Sequence, residues 1–168
     1  MKLQHATAHE IELPTLYRLL QLRSQVFVVE QRSPYLDVDG KDLLAETTHI
    51  WATESDGGSE LLGYVRVLAG SAGTDDPADA ADTADAVVIG RVCVAPTARG
   101  RGLGATLMTA AHEVVGDTSE VVLHAQTHLE GWYGRFGYVR SGPDFDDAGV
   151  PHLPMVRPAP GKPNGPAR

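Results

Sequence analysis

The chain has 168 residues, a mass of 17.9 kDa, and 14 basic against 22 acidic side chains for a formal charge of −8. That length sets one domain with one core as the expectation, and 42% hydrophobic with 21% charged residues is the balance of a globular chain. The anionic excess disfavours a dedicated nucleic-acid binder or a protein drawn to anionic membranes, and the lone Cys93 excludes an intrachain disulfide or a cysteine-built zinc cage and suits a reducing, cytoplasmic setting.

Met1 to His9 carries no apolar stretch of the kind a secretory leader needs, and apolar runs such as Val26-Phe27-Val28-Val29 are far shorter than the roughly 20 residues of a membrane span. Lys2 to Ala6 reads as a short edge strand. Pro14 opens a helical pattern in which Leu16, Leu19, Leu20 and Phe27 share a face, and Ser33-Pro34 breaks it. Tyr35 to Asp42 is polar and turn-rich around Asp39-Gly40. Two strands follow, His49 to Thr53 and Leu61 to Leu68, with a hairpin loop by composition at Ser55 to Ser59. Ser71 to Ala86 holds five aspartates and six alanines with no basic residue, and reads as a surface loop.

The next stretch, Val87 to Val94, is β-branched and nearly continuous in apolarity, the pattern of a strand covered on both faces. Arg99-Gly100-Arg101-Gly102-Leu103-Gly104 then leads into a second helix, with Leu103, Leu107, Ala111 and Val114 along one stripe and Ala110 beside it. Val121 to Ala125 reads as another buried strand, Leu129 to Phe136 as a short helix ended by Gly137, and Tyr138-Val139 and Met155 to Arg157 as closing strands. Pro158 to Arg168, with four prolines and two glycines, reads as a disordered tail, which places the domain at residues 1–157 and the tail at 158–168. No internal repeat is visible.

The glycine turn has two readings. As an anion site it offers unpaired amides at a helix start, backbone uncovered by Cβ atoms and two fixed arginine charges in an acidic protein. As an ordinary strand-to-helix turn it merely displays solvated arginines. It lacks the Gly-Lys-Ser/Thr ending of a P-loop and the spacing of a dinucleotide fingerprint.

Arg99-x-x-Gly102-x-Gly104 after Val92-Cys93-Val94-Ala95-Pro96 resembles the acyl-CoA signature of the GNAT N-acetyltransferases. Further stretches are similar to the ElaA-like branch: Leu22-Arg23 with Val26 to Gln31, Pro34-Tyr35-x-Asp37-x-Asp39-Gly40-x-Asp42-Leu43, Ile89 to Val92, Ala125-Gln126-x-His128-Leu129, Tyr133-x-x-Phe136-Gly137-Tyr138 and Val150-Pro151-His152. Together they span about Leu13 to Arg157. The resemblance implies a mixed α/β fold whose central, mostly antiparallel sheet is splayed at a coenzyme cleft and flanked by helices. It implies that Val92, Cys93 and Val94 pair with the pantetheine arm, and that Gly100, Arg101, Gly102, Leu103, Gly104 and Ala105 wrap the diphosphate with Arg99 just before them.

Acyl transfer from a thioester to an amine needs a neutral amine, a stabilised oxyanion and a leaving thiolate. A lysine amine has a pKa of about 10.4, so a base or a water chain must help. A backbone N–H near Val92 or Cys93 can serve the oxyanion. Tyr133 matches by position the tyrosine that acts as general acid in many GNAT enzymes; the alternative is a packing aromatic beside Trp132. Glu30, at the end of the first helix, is the candidate base, against a solvated charge or a partner for Arg23 or Arg91. Arg91, in a buried-strand pattern, needs an acidic partner. Tyr35, Asp37, Asp39 and Asp42 offer an anionic wall for a cationic amine, or else plain turn chemistry. His49, His128 and His152 are further candidates near the acceptor. His124 and His128 lack a metal-site pattern, and Cys93 reads as a small buried hydrophobe rather than an acyl carrier.

The resulting expectation is an acyl-CoA-dependent N-acyltransferase with acetyl-CoA as donor. Its acceptor is a primary amine on a small molecule or a protein terminus, attacked directly and without a metal. Many relatives pair, so a homodimer is the expectation by analogy. Two rivals stay open: a non-catalytic acyl-CoA-binding domain, and a signal synthase resembling the acyl-homoserine-lactone synthases.

Overall fold

A computed structural model of the chain describes residues 1–55, 60–69, 86–116 and 119–159. The expected hairpin tip at 56–59, nearly all of the acidic 71–86 segment and the tail from residue 160 lie outside the described residues.

Among the described residues eight strands form one sheet: β1 (Lys2–Thr7), β2 (Thr47–Thr53), β3 (Leu61–Leu68), β4 (Val87–Val94), β5 (Val121–Gln126), β6 (Val139–Arg140), β7 (Phe145–Asp147) and β8 (Val150–Arg157). Their order across the sheet is β1-β2-β3-β4-β5-β8-β6, with β7 also beside β8. Every pairing is antiparallel except β4 with β5. Among the described residues three α-helices flank the sheet: α1 (Leu13–Arg23), α2 (Leu103–Val115) and α3 (Glu130–Gly134).

α1 runs directly into a π-helical segment, Ser24–Glu30, closed by a Gln31 N–H to Val26 carbonyl bond of 3.1 Å. The wider turn rotates the chain relative to a regular α-helix. Leu16 and Leu19 are buried as expected, together with Leu22, Arg23 and Val26, while Leu20 and Phe27, expected on that face, are only half-buried. In α2 the expected stripe holds at Leu103, Leu107 and Ala111, which are buried together with Met108, while Val114 at its far end is 39% exposed. α3 is shorter than expected, with a 3₁₀ turn at Thr127–Leu129 before it.

β8 is longer than its expected closing stretch and carries Pro151 and Pro154 inside a ladder. Proline argues against a strand, so this element is hidden in the sequence. β7 and β8 join through Ala148 (φ +52°) and Gly149 (φ +86°), a tight hairpin of mirror-image type.

α2 packs very close to β3. A Cβ at Gly63 would meet the Cys93 carbonyl oxygen and Leu107 Cδ1, each at 2.9 Å, so only glycine admits the helix at that spacing. The core is continuous from Leu19 and Ile50 through Tyr64, Ile89 and Leu107 to Leu123, Leu153 and Met155.

Candidate functional site

β4 is the strand that makes the site. Its register against β3 slips so that Tyr64 to Arg66 opposes Gly90 to Cys93, and Arg91 sits at the bulge with φ +56°. A bulge bends and twists its strand. The parallel pairing of β4 with β5 accordingly spans only Val87 with Val121 and Val88 with Val122. Beyond it β4 stays with β3 as far as Val94, while β5 stays with β8 as far as Gln126. The two central strands fork, and their facing backbone groups are left without a ladder partner.

The glycine turn lies at the open end of that fork. Gly100 and Gly102 both have φ +75°, the left-handed conformation that glycine adopts without strain, and Gly102 is the N-cap of α2. Gly104 instead permits close packing, since a Cβ there would stand 3.4 Å from the Trp132 ring. The amides of Leu103 and Gly104 belong to the first helical turn and have no preceding turn to bond. The Ala105 amide, expected among the phosphate ligands, donates to the Gly102 carbonyl at 3.0 Å. A cavity of about 330 Å³ opens here, lined by Val94, Arg99, the glycine turn, Trp132 and Arg135.

Three arginines stand at the turn, each held differently. Arg99 grips Glu30 with two bonds of 2.6 and 2.7 Å and donates its Nε–H to the Val94 carbonyl at 3.2 Å. The Arg99 guanidinium holds the Glu30 carboxyl below its ordinary range. Arg101 approaches Glu54 at 3.5 Å. Arg135 stacks over the Trp132 ring at 6.0 Å and lines the cavity. Nothing in the sequence points to Arg135, because it lies 31 positions past Gly104 and only the fold returns it to the turn.

The aspartates expected as a substrate wall are tied to arginines. Arg23 donates Nε–H to Asp37 at 2.9 Å and also pairs with Asp42. Arg66 reaches Asp39 at 2.5 Å and Asp42 at 2.9 Å, and Arg91 reaches Asp37 at 2.9 Å and Asp39 at 3.1 Å. Burial alone would raise the Asp39 carboxyl, but hydrogen bonds and charge from Arg66 outweigh it and hold it far below the ordinary range. Three carboxylates thus meet three guanidiniums, and Asp37 and Asp42 are nearly inaccessible. Arg91 has the acidic partners its position requires. Tyr35 covers the cluster, its ring 5.4 Å from the Arg91 guanidinium, and burial pushes its phenol up to about 12.

Of the histidines, His49 is fully buried. Its Nε2 bonds the Asp42 carbonyl at 2.9 Å, which makes Nε2–H the donor and leaves Nδ1 to accept from the Tyr64 hydroxyl at 2.8 Å. It belongs to the scaffold under the aspartates. His152 lies opposite Gln126 in the ladder, and its Nδ1–H donates to the Val150 carbonyl at 2.8 Å. His128 is exposed on the 3₁₀ turn before α3. Tyr133 is buried between Trp132 and Tyr138, with ring centroids at 4.7 and 6.0 Å, and burial pushes its phenol up to about 12. Cys93 is buried and its thiol is pushed up to about 12 by the same cause, which suits a packing role. Among the described residues, no group of three or more His, Cys, Asp or Glu is placed to hold a metal, and no helix is long and apolar enough to cross a membrane.

A family profile for the acetyltransferase (GNAT) domain matches residues 21–158. UPF0039 protein Rv2851c of Mycobacterium tuberculosis is 40% identical over 160 residues, covering 95% of both chains. Protein ElaA of Escherichia coli is 38% identical over 151 residues, covering 88% of this chain and 90% of its own. The crystal structure of ElaA superposes with a TM-score of 0.79 at 37% identity, covering 94% of this chain and 99% of that one. An acyl-CoA N-acyltransferase from Pseudomonas aeruginosa superposes with a TM-score of 0.77 at 40% identity over the same shares.

Proposed function

From membership of the GNAT acyl-CoA N-acyltransferase family, to which this chain belongs, we propose that it transfers an acetyl group from acetyl-CoA to a primary amine. The observation that carries the reading is the fork between β4 and β5 with the glycine turn at its mouth. An amide-bearing arm can lie in a fork as an added strand, and Val92, Cys93 and Val94 are the residues we assign to the pantetheine. We assign the diphosphate to the turn from Gly100 to Gly104, where free amides and the helix dipole favour an anion. Arg135 adds the side-chain charge that Arg99, tied to Glu30, supplies only in part.

In the proposed reaction the neutral amine nitrogen attacks the thioester carbonyl carbon. The carbonyl oxygen becomes an oxyanion facing a backbone N–H near Val92, the C–S bond breaks as the tetrahedral state collapses, and the amine loses its extra proton to water. Tyr133 donates a hydrogen bond from its hydroxyl to the departing thiolate, which takes its proton from water as coenzyme A leaves. A phenol held up at about 12 stays protonated at neutral pH and is available as that donor. Glu30, while bound to Arg99, is a poor base. Because Asp37, Asp39 and Asp42 are paired with arginines, they offer little electrostatic attraction to a cationic acceptor.

The test is release of free coenzyme A from acetyl-CoA in the presence of a panel of small amines and peptide N-termini. Amine-dependent release supports an enzyme. Tight coenzyme binding with no release for any amine would favour the non-catalytic binding domain, and release only from an acyl-carrier-protein thioester would favour the signal-synthase reading.

A further inference from the structure

The last residues of the α1–π-helical segment reach both arms of the fork. Glu30 binds Arg99, five residues past the end of β4, with two bonds of 2.6 and 2.7 Å. The next residue, Gln31, accepts a hydrogen bond at 3.1 Å from the side-chain amide of Gln126, the last residue of β5. Consecutive side chains of one segment therefore clasp the two strands whose separation makes the cleft. The ion pair is not buried: the side chains of Arg99 and Glu30 are 44% and 41% exposed, so it can be parted by another anion at small cost.

Arg99 also lines the cavity at the glycine turn. Its Nε–H is used by the Val94 carbonyl and its two terminal nitrogens face Glu30, so its charge is largely neutralised as the site stands. We propose that Glu30 is an internal competitor for the coenzyme's diphosphate: it holds Arg99 until the diphosphate takes the guanidinium over, and the β4 half of the clasp opens as the coenzyme seats. Glu30 acts here through Arg99, as a positioning residue. It sets coenzyme affinity by competing for Arg99, and its carboxylate is released only in the loaded protein. This rests on the reading that the cavity takes an acyl-CoA.

Calorimetric titration with free coenzyme A tests it. The wild type is compared with Glu30→Gln and with Glu113→Gln, a remote control that removes the same charge near the far end of α2, about 15 Å along the helix from the turn. Glu30→Gln should bind coenzyme A about two- to fivefold more tightly, the scale of an exposed ion pair relieved. Glu113→Gln should match the wild type. Equal or weaker binding by Glu30→Gln overturns the proposal, as does equal tightening by Glu113→Gln, which would make the effect one of net charge. Melting curves of all three proteins confirm that they are folded. A wild type that gives no heat at all would overturn the acyl-CoA reading itself, a different result from a wild type that binds but is indifferent to Glu30.

Discussion

Tyr133 is the residue on which the proposed chemistry turns. Its ring is fixed by Trp132 and Tyr138, so removing the hydroxyl leaves the packing in place. Tyr133→Phe should lower kcat by about a hundredfold or more, the lower range for loss of a hydrogen-bond donor to developing charge, with coenzyme affinity within about twofold of the wild type. Unchanged turnover with the best amine would remove Tyr133 from the mechanism. Because burial holds the phenol up at about 12, an alkaline loss of activity near the ordinary phenol value of 10.0 should not trace to Tyr133. The glycine turn is legible in the sequence because its signal is local, glycines at left-handed positions, whereas Tyr133 is singled out only by the family resemblance and reads on its own as a packing aromatic beside Trp132. The neutralisation of Asp37, Asp39 and Asp42 is not legible. Their arginine partners come from α1, β3 and β4, and nothing in the spacing of Arg23, Arg66 and Arg91 announces that they meet.

At the scale of elements, the family resemblance implies the fork, but its cause is a backbone event that side-chain patterning cannot express. Arg91 adopts a left-handed conformation that arginine disfavours, and the ion pairs with Asp37 and Asp39 fix it there. Most of β8 escapes a reading of the sequence because two prolines mask its strand pattern, and β7 is too short and polar to announce itself, whereas β2 and β4 are rich in β-branched residues and β3 in apolar ones. α2 is tied to the C-terminal half of the fold through His112, whose Nε2 lies 2.9 Å from the Tyr138 hydroxyl. Burial, with help from the Arg157 charge, lowers the His112 imidazole to about 4 from an ordinary 6.5. Folding thus favours the neutral ring, and the unfolded chain binds more protons between those values. This contribution to stability is complete above pH 6.5, declines as pH falls and levels off near pH 4. The melting temperature of the wild type should fall between pH 6.5 and about 5, above the range where most carboxylates titrate. His112→Gln, which does not titrate, should show a shallower fall; parallel curves would contradict the assignment.

Across the whole molecule, an acidic chain gathers three arginines, Arg99, Arg101 and Arg135, around one turn. The fork supplies unpaired backbone for an amide-rich arm, and the helix start beside it supplies amides for two phosphates. Acyl transfer, the clasp and the role of Tyr133 all depend on that pocket taking coenzyme A. The direct measurement is calorimetric titration of coenzyme A into the wild-type protein, with the melting temperature followed in parallel. One saturable site per chain is expected, with stabilisation of about 2.7 kcal/mol at a hundredfold excess over the dissociation constant. No heat of binding and an unmoved melting temperature at millimolar coenzyme would contradict it.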